Sequence, residues 1–239
     1  MQNLLLKLSG EALGGASGSG IDPTVLEHYA NEIRSIVDQG IGVAVVLGGG
    51  NLFRGAKLSE AGMDRVVGDR MGMLATIMNG LALGDFLRRN NVPCSVFCAS
   101  AIAGVVQGYD RDLALAKMRE GHVVIVTGGT GNPYFTTDTA ACLRGVELQV
   151  DTVLKATNVD GIYSGDPKKD ATATKFDTIS FDQVLEKQLG VMDLTAIVLC
   201  KENNMPLVVF DASVKGALLA LTAGQSIGTK VVQKTSSIN

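Results

Sequence analysis

The chain has 239 residues, of which 46% are hydrophobic and 19% charged, so it can bury a sizeable core and is not a disordered protein. Its net charge of −3, with no block of like charges, disfavours nucleic acid as a partner, because binders of the phosphate backbone carry a basic patch or stripe. No apolar run approaches the roughly 18 residues that a membrane span requires, and the chain opens directly into a strand pattern, so the sequence predicts neither a membrane helix nor a signal peptide.

Strand and helix patterns alternate along the chain. In order, we predict a strand at residues 4–8, a helix at 23–39, a strand at 43–47, a helix at 63–91, a strand at 94–98, a helix at 111–120, a strand at 122–126, a helix at 139–147, a strand at 151–156, helices at 181–188 and 194–203, a strand at 207–210, a helix at 214–222 and a strand at 228–232. This alternation is typical of an α/β fold whose mainly parallel sheet is covered by helices on both faces.

Local signals support this division of the chain. Asp22 is a good N-cap, and Pro23 suits the first position of the helix that follows. Residues 158–178 are rich in turn signals and predict a surface hairpin or lid. Because there is no Pro- or Ser-rich linker, we predict a single domain of 239 residues, with one lobe at 1–150 and a second at 151–239 sharing one sheet.

The cysteines predict buried free thiols rather than a metal centre. Cys94, Cys98, Cys142 and Cys200 all lie in apolar strand or helix patterns. Cys94 and Cys98 share one face of a predicted strand but are too far apart to form a disulfide. With two histidines and no CxxC pair, the alternative of a zinc site is disfavoured. Free thiols are typical of the reducing cytoplasm, which is the predicted location.

Lys7 lies in the first predicted strand, among leucines. The alternation of a strand puts Leu5, Lys7 and Ser9 on the same face. A lysine in an apolar strand is unfavourable unless another group meets its charge. One interpretation is that Lys7 snorkels to water from the strand end. The other, favoured by the space that Gly10 opens beside it, is that Lys7 contacts a phosphate.

Three consecutive glycines, residues 48–50, follow the second predicted strand. A tight turn needs only one or two, so the run indicates a close approach of backbone to a ligand. Arg54 follows, and its guanidinium can hold a phosphate through two hydrogen bonds. A P-loop is rejected because Ala56 displaces the lysine of that motif and Leu58 replaces its Ser/Thr. The dinucleotide fingerprint is rejected because Phe53 occupies the place of its last glycine.

The most informative stretch is GGTGNPYFTTD at residues 128–138, directly after a predicted buried strand. A glycine-rich turn at the end of a strand lets backbone N–H groups approach an anion, and the N-terminus of the next helix adds positive dipole. Two threonines and Asp138 add hydroxyls and a carboxylate. Since two other strands also end in glycines, we expect three loops at one sheet edge to form a site for several phosphates.

The acidic residues near these loops have structural alternatives. Asp69 shares a face of the long predicted helix with Arg65, where a solvated surface aspartate is the default interpretation. Asp138 starts a predicted helix and is therefore either an N-cap or a site residue. Asp193 precedes another helix, so capping competes there too. Tyr163, in the turn-rich segment, is placed to border a base.

The sequence shows no obvious general base, because neither His28 nor His122 lies beside a glycine loop. A kinase acting on an alcohol usually needs an aspartate to accept the hydroxyl proton. A phosphate monoester does not, since its second pKa near 6 makes it a dianion at pH 7. The obstacle is then repulsion between anions, which cations and backbone donors reduce. We therefore predict phosphoryl transfer to a phosphate or carboxylate acceptor, and disfavour sugar and alcohol kinases.

Four motifs resemble, in order, the bacterial uridylate kinases of the amino-acid-kinase superfamily. They are KLSGEAL at 7–13, GGGNLFR at 48–54, GGTGNPYFTTD at 128–138 and KATNVDGIY at 155–163. The resemblance covers nearly the whole chain, and the joint order and spacing of the motifs are specific. It implies a three-layer αβα sandwich, transfer of the ATP γ-phosphoryl group to UMP with Mg²⁺, and a homohexamer.

The resemblance also implies roles for individual residues. The implied catalytic residues, which organise the transferred group, are Lys7, Arg54, Asp138 and Asp193. The implied ATP site consists of Lys7, Leu8, Ser9, Gly10, Gly50, Arg54, Thr157, Asn158, Tyr163 and Asp166. The implied UMP site consists of Gly49, Asp69, Thr130, Gly131, Asn132, Pro133, Tyr134, Phe135, Thr136 and Thr137. No residue is assigned to the metal.

Family members are often activated by GTP and inhibited by UTP, so the resemblance implies an effector response here. The corresponding segment consists of Gly15, Ala16, Ser17, Gly18, Ser19 and Gly20. Two alternatives to a UMP kinase are a carboxylate or carbamate kinase on the same fold and a non-catalytic nucleotide-binding protein. The presence of Lys7 and the acidic residues disfavours the non-catalytic one.

Overall fold

The computed structural model describes residues 1–53, 62–165, 167, 169–170 and 172–233. The predicted site residues Arg54 and Asp166 lie outside the described residues. The strands are β1 (Asn3–Leu8), β2 (Gly42–Leu47), β3 (Cys94–Cys98), β4 (Gln107–Gly108), β5 (Val123–Thr127), β6 (Thr152–Thr157), β7 (Ile162–Tyr163), β8 (Lys175–Phe176), β9 (Thr178–Ser180), β10 (Leu207–Asp211) and β11 (Thr229–Val232).

The helices follow the predicted order, with one short addition after β1. They are α1 (Gly10–Leu13), α2 (Pro23–Val37), α3 (Arg65–Arg89), α4 (Arg111–Arg119), α5 (Thr137–Glu147), α6 (Phe181–Glu186), α7 (Leu194–Glu202) and α8 (Ala217–Thr222), with a 3-10 turn at Gly15–Ser17. No helix among the described residues is long and apolar enough to cross a membrane. All four cysteines are free, as predicted, and three of them are buried.

Within the described residues, nine strands form one sheet in the order β4-β3-β5-β2-β1-β6-β10-β11-β9. Every pairing in it is parallel except the antiparallel pair of β10 and β11. Residues before 150 supply the five strands at one end of this order and residues after 150 supply the other four. The turn-rich segment forms a separate antiparallel pair of β7 and β8, in agreement with the predicted hairpin.

Two hydrophobic cores lie on opposite faces of the sheet, which confirms the three-layer α/β fold. In β1, Leu5 faces a core that includes Ala141 of α5 and Ile197 of α7. Leu4 and Leu6 face the other core, which is closed by α2, α3 and α8. Because β5, β2, β1 and β6 are neighbouring parallel strands, their carboxyl ends meet at one edge of the sheet.

The first residue of a helix is set by its N-cap more closely than by the pattern of apolar residues. Asp22 accepts a hydrogen bond from the backbone of Thr24 at 2.8 Å with Pro23 at the first turn of α2, as predicted. The final helix begins at Ala217, three residues later than predicted, because Gly216 adopts a left-handed conformation with φ of 82°. α5 begins two residues earlier than predicted, with Thr136 as its N-cap.

Candidate active site

Two lysines from neighbouring strands meet one aspartate at the carboxyl edge of the sheet. The parallel register of β1 and β6 places Lys7 opposite Lys155, so both side chains leave the same face. Lys7 Nζ lies 2.6 Å from Asp138 Oδ1, and Lys155 Nζ lies 2.8 Å from Asp138 Oδ2. Lys155 also donates to the backbone carbonyl of Val191 at 2.5 Å. We call Lys7, Asp138 and Lys155 the lysine–aspartate cluster.

Asp138 belongs to this cluster and does not cap its helix. The side chain of Thr136 caps α5, accepting hydrogen bonds from the backbone N–H groups of Asp138 at 3.1 Å and Thr139 at 3.4 Å. The capping alternative for Asp138 is therefore wrong. Burial favours the neutral form of its carboxyl, but Lys7 and Lys155 outweigh this effect and hold the pKa of Asp138 below its usual range. The cluster is thus two cations with one anion, partly buried.

Asp193 does cap a helix, and it also fixes the start of α5. Its carboxylate accepts from the backbone of Ala196 at 3.0 Å, at the first turn of α7. It also accepts from the hydroxyl of Thr139 at 2.8 Å and from the hydroxyl of Thr136. Asp193 therefore acts on the cluster indirectly, by holding the end of α5 from which Asp138 projects.

The glycine loops at this edge approach each other closely. A Cβ atom on Gly10 would lie 2.5 Å from the backbone nitrogen of Gly50 and 2.8 Å from the carbonyl carbon of Gly48. A Cβ atom on Gly49 would lie 2.8 Å from the carbonyl oxygen of Gly72 in α3. Only glycine allows these contacts, so the glycine run fixes the backbone between α1 and α3.

A cavity of about 560 Å³ lies between the glycine run, α3 and the 128–138 segment. Of the predicted UMP residues, those that line it are Gly49, Asp69, Phe135, Thr136 and Thr137. Gly50, which was predicted for the ATP site, also lines it, and so do residues outside both predicted sites, which are Phe53, Arg65, Gly68, Gly72, Met73, Thr76 and Gly129. The hydroxyl of Thr76 accepts from the backbone N–H of Gly128 at 2.8 Å, and this bond holds the segment against α3.

The remaining predicted UMP residues form the outer turn of the segment and do not line this cavity. They are Thr130, Gly131, Asn132, Pro133 and Tyr134. The backbone of Asn132 donates to the hydroxyl of Thr130 at 3.1 Å, which stabilises the turn. The backbone of Tyr134 has a positive φ of 72°, which residues other than glycine rarely adopt, and its ring is largely exposed.

Asp69 is tied into the segment rather than solvated at the surface. It accepts a hydrogen bond of 2.7 Å from the backbone N–H of Tyr134. Arg65 Nε lies 3.0 Å from both carboxylate oxygens of Asp69. The guanidinium of Arg65 also lies 5.5 Å from the centre of the Tyr134 ring. Helix α3 therefore reaches the segment through one carboxylate, and the default surface interpretation of Asp69 is wrong.

Two further cavities open beside the lysine–aspartate cluster. One, of about 560 Å³, is lined by Lys155, by Thr157 and Tyr163 of the predicted ATP site, and by Gly190 and Val191. The other, of about 530 Å³, is lined by Lys7, Ser9 and Asn158 of the predicted ATP site, and it shares Thr157 with the first. The effector segment reaches this third cavity through Gly15. Leu8 lies wholly in the core, so only its backbone faces the edge.

Lys155 is the main functional candidate that the sequence prediction omitted. A signal was present, because Lys155 interrupts an apolar strand just as Lys7 does. The partnership of the two lysines depends on β6 pairing directly with β1, and strand order cannot be inferred from either strand alone.

Comparison with known proteins identifies the family of this chain. Residues 3–211 match the Amino acid kinase family. The chain is 56% identical over 230 residues to the uridylate kinase of Pseudomonas aeruginosa (96% of this chain, 94% of that one) and 58% identical over 228 residues to that of Alcanivorax borkumensis (95% and 90%). The crystal structure of UMP kinase from Bacillus anthracis matches with a TM-score of 0.95 at 36% identity, covering 98% of this chain and 97% of that one. This chain belongs to the amino acid kinase family, in its uridylate kinase branch.

Proposed function

We propose that this chain transfers the γ-phosphoryl group of ATP to UMP, giving UDP and ADP, the reaction that the names of its relatives imply. The lysine–aspartate cluster carries the proposal. Lys155 lines one of the cavities beside the cluster, and Asp138 directly follows Thr137, which lines the cavity under the 128–138 segment. Two ammonium groups therefore lie between a space for a donor and a space for an acceptor.

The chemistry needs charge neutralisation more than proton transfer. An oxygen of the UMP phosphate forms a bond to the γ-phosphorus while the bond to the β–γ bridging oxygen breaks, and no proton has to leave the dianionic nucleophile. Lys7 and Lys155 supply positive charge where the phosphates repel each other. Asp138 holds both ammonium groups in place, so they need not reorganise when substrate arrives. Arg54 adds a third cation in this proposal.

The acceptor is assigned to the cavity between α3 and the 128–138 segment. Asp69 is the proposed partner of the ribose hydroxyls, because its carboxylate is an acceptor at the cavity wall. Phe135 supplies an apolar surface for the base, and Thr137 supplies a hydroxyl at the start of α5, whereas the hydroxyl of Thr136 is already bonded to Asp193. The backbone N–H of Gly49 is a further donor for the phosphate of UMP.

The donor is assigned to the opposite side of the cluster. We place the adenosine of ATP in the cavity of Thr157 and Tyr163, with Asn158 and Asp166 completing its surroundings. The phosphates of ATP then extend along the glycine-rich edge, toward the residues from Lys7 to Gly10 and the backbone of Gly50. Gly10 packs directly on the backbone of Gly48 and Gly50, which brings the loops after β1 and β2 together at this edge.

The site fits a magnesium ion that binds together with ATP rather than one that the protein holds by itself. Among the described residues there is no group of three or more His, Cys, Asp or Glu that could hold a metal ion. Mg²⁺ in kinases is bound through substrate phosphates with one or two carboxylates, and Asp138 and Asp193 are the carboxylates that this proposal offers to it. When bound, it would neutralise charge on the β- and γ-phosphates.

A coupled assay of ADP release tests the proposed reaction. Acceptors should include UMP, CMP, dUMP, aspartate and acetylglutamate, each with ATP and Mg²⁺. We expect fast turnover with UMP and little with the two amino acids. Turnover with a carboxylate acceptor but not with UMP would replace the proposal by the carboxylate-kinase alternative. Binding of ATP without turnover of any acceptor would favour the non-catalytic alternative.

We further propose a homohexamer, activation by GTP, inhibition by UTP and a cytoplasmic location. An exposed apolar strip on α3 supports association, and it consists of Val67, Met71, Leu74 and Met78. The segment of residues 15–20 is the proposed effector element, since Gly15 reaches the cavity that Lys7 and Ser9 line. Free thiols support the location. Light scattering of the purified chain tests the hexamer, and assays with added GTP or UTP test the effectors.

A further inference from the structure

Two buried asparagines form a reciprocal amide pair behind the glycine run. Asn51 follows the run directly, and Asn79 lies on α3 with no exposed surface. The Nδ2 of Asn51 donates to Oδ1 of Asn79 at 3.0 Å, and the Nδ2 of Asn79 donates to Oδ1 of Asn51 at 2.7 Å. The two side chains therefore face each other as a closed, two-bond amide dimer.

Each amide has one more hydrogen bond, and both go to glycine carbonyls. Asn79 Nδ2 donates to the carbonyl oxygen of Gly48 at 2.8 Å, and Asn51 Nδ2 donates to that of Gly20 at 2.7 Å. The side-chain N–H groups of the pair are thereby fully used. A carbonyl can only accept, so these two bonds also fix which end of each amide is nitrogen. A fully satisfied buried network of this kind specifies one geometry.

The pair connects three segments that the proposed function brings to the phosphates. It holds the glycine run through Gly48 and the effector segment through Gly20, whose N–H also donates to the backbone oxygen of Asn51 at 3.0 Å. It reaches α1 as well, because a Cβ on Gly10 would lie 2.9 Å from Oδ1 of Asn51. An apolar pair of the same size could fill this space but could not set the direction of the Gly48 carbonyl.

We propose that Asn79, paired with Asn51, is a positioning residue for phosphoryl transfer: its bond to the Gly48 carbonyl fixes the peptide plane between Gly48 and Gly49 in the orientation that presents the N–H of Gly49 to a phosphate. This inference rests on the proposed function, because it assigns that backbone to the nucleotides. Neither asparagine contacts substrate or reacts. The direction of a peptide plane matters here, since misplacing donors by a fraction of an ångström weakens transition-state contacts.

The variant Asn79→Asp tests the role of the amide hydrogens. The carboxylate has the shape of the amide but cannot donate to Gly48 or Asn51, whereas its protonated form regains one donor. We expect kcat to fall roughly 10- to 100-fold at pH 8.5. Burial raises the pKa of a carboxyl at such a site, so the ratio of variant to wild-type kcat should rise toward one as the pH is lowered to about 6. Because UMP itself titrates in this pH range, the variant is compared with wild type at each pH, and the effect of that titration cancels in the kcat ratio.

Two further variants make the result decisive. Asn51→Asp loses the matching donors at a slightly less buried position and should show the same pH dependence, so it replaces Asn79→Asp if that variant does not fold. Glu32→Gln is the control, because Glu32 is buried, lines none of the three cavities of the site, and accepts from the backbone of Gly216 at 2.7 Å and Leu218 at 3.2 Å. This control should lower the melting temperature but leave the kcat ratio flat across pH.

The outcomes separate this inference from the proposed function. Failure of the wild-type chain to convert UMP would overturn the proposed function, and the inference is then judged on affinity for a non-hydrolysable ATP analogue by calorimetry. That affinity should be weaker in Asn79→Asp at pH 8.5 and recover at pH 6. A kcat ratio or affinity ratio that does not change with pH, whether near one or far below it, would show that the pair only stabilises the fold.

Discussion

The lysine–aspartate cluster and the Arg65–Asp69 pair join the same kinds of charge in opposite surroundings. In the cluster, the side chains of Lys7, Asp138 and Lys155 are 9%, 14% and 18% exposed. In the pair, Arg65 is 57% exposed and Asp69 is 23% exposed, with one helical turn between them. The cluster joins three elements, of which β1 is distant in sequence from α5 and β6, whereas the pair lies on α3 alone.

This difference in burial predicts different roles for the cluster and for the Arg65–Asp69 pair. Removing one member of a buried ion group leaves the others unpaired in a poorly solvated place, which is strongly destabilising. An exposed pair contributes little to stability, so either member can leave its partner and bind a ligand at a small cost in free energy. We therefore expect the cluster to hold fixed charge for the chemical step, and the pair to adapt to the nucleotide that enters beside it.

The largest effect is expected for Lys7→Ala. Its charge should matter most in the transition state, so kcat should fall roughly 10²- to 10³-fold while the KM for UMP changes far less. Steady-state kinetics with UMP as the varied substrate measures both values. The matched control is Lys201→Ala, which breaks a partly exposed contact of 2.7 Å with Asp182, lines none of the three cavities of the site and should leave kcat unchanged. Unchanged turnover in Lys7→Ala would mean that Lys7 is only a strand residue reaching water.

The next effect is on stability, in Asp138→Asn. This change keeps the shape of the side chain but leaves Lys7 and Lys155 without their anion, so the free energy of unfolding at pH 7 should fall by roughly 3 kcal/mol. The folded pKa of Asp138 lies below its ordinary value of 3.8, so its stabilisation is complete above that pH and is lost as the pH falls below it.

Urea unfolding of wild type and Asp138→Asn between pH 2.5 and 7 checks this prediction. The stability gap between the two proteins should be wide at pH 7 and should shrink progressively as the pH falls below 3.8, because the unfolded chain then binds a proton at Asp138 while the folded chain still holds the carboxylate charged. A gap of constant size across that range would show that the carboxylate is not stabilised by the two lysines.

The contrast also explains what the sequence could predict. The alternation of elements and the glycine runs are local signals, and they were sufficient for the α/β class and for the edge at which the site lies. Lys7 was found because a lysine among leucines is a local anomaly. Its pairing with Lys155 was not, since that contact depends on β1 and β6 being neighbours in the sheet.

Competition between nearby residues accounts for the other differences. Thr136 and Asp138 are both good N-caps two positions apart, and only the observed backbone decides that Thr136 caps α5. Asp69 and Arg65 at four-residue spacing match an ordinary surface pair, and the link to Tyr134 comes from the fold of a segment 65 residues away. Local pattern thus identified Lys7, Asp69 and Asp138 but not Lys155, and tertiary contacts determined which of these charged residues act together.

The smallest effect is expected for Arg65→Ala, the exposed side of the comparison. Stability should change by less than about 1 kcal/mol because Arg65 is mostly solvated and Asp69 keeps its bond from Tyr134. Since Arg65 lines the acceptor cavity, loss of its charge should raise the KM for UMP about fivefold, equivalent to roughly 1 kcal/mol, with kcat nearly unchanged.

Arg34→Ala is a matched control, because Arg34 forms an exposed pair of the same spacing with Asp38 on α2. Both variants should unfold close to wild type in a thermal melt, and only Arg65→Ala should change the KM for UMP. If the two variants give the same KM, Arg65 is an ordinary surface residue. If Arg65→Ala instead lowers kcat as strongly as Lys7→Ala, the division between fixed and exchangeable charge is wrong, because the exposed pair would then take part in the chemical step.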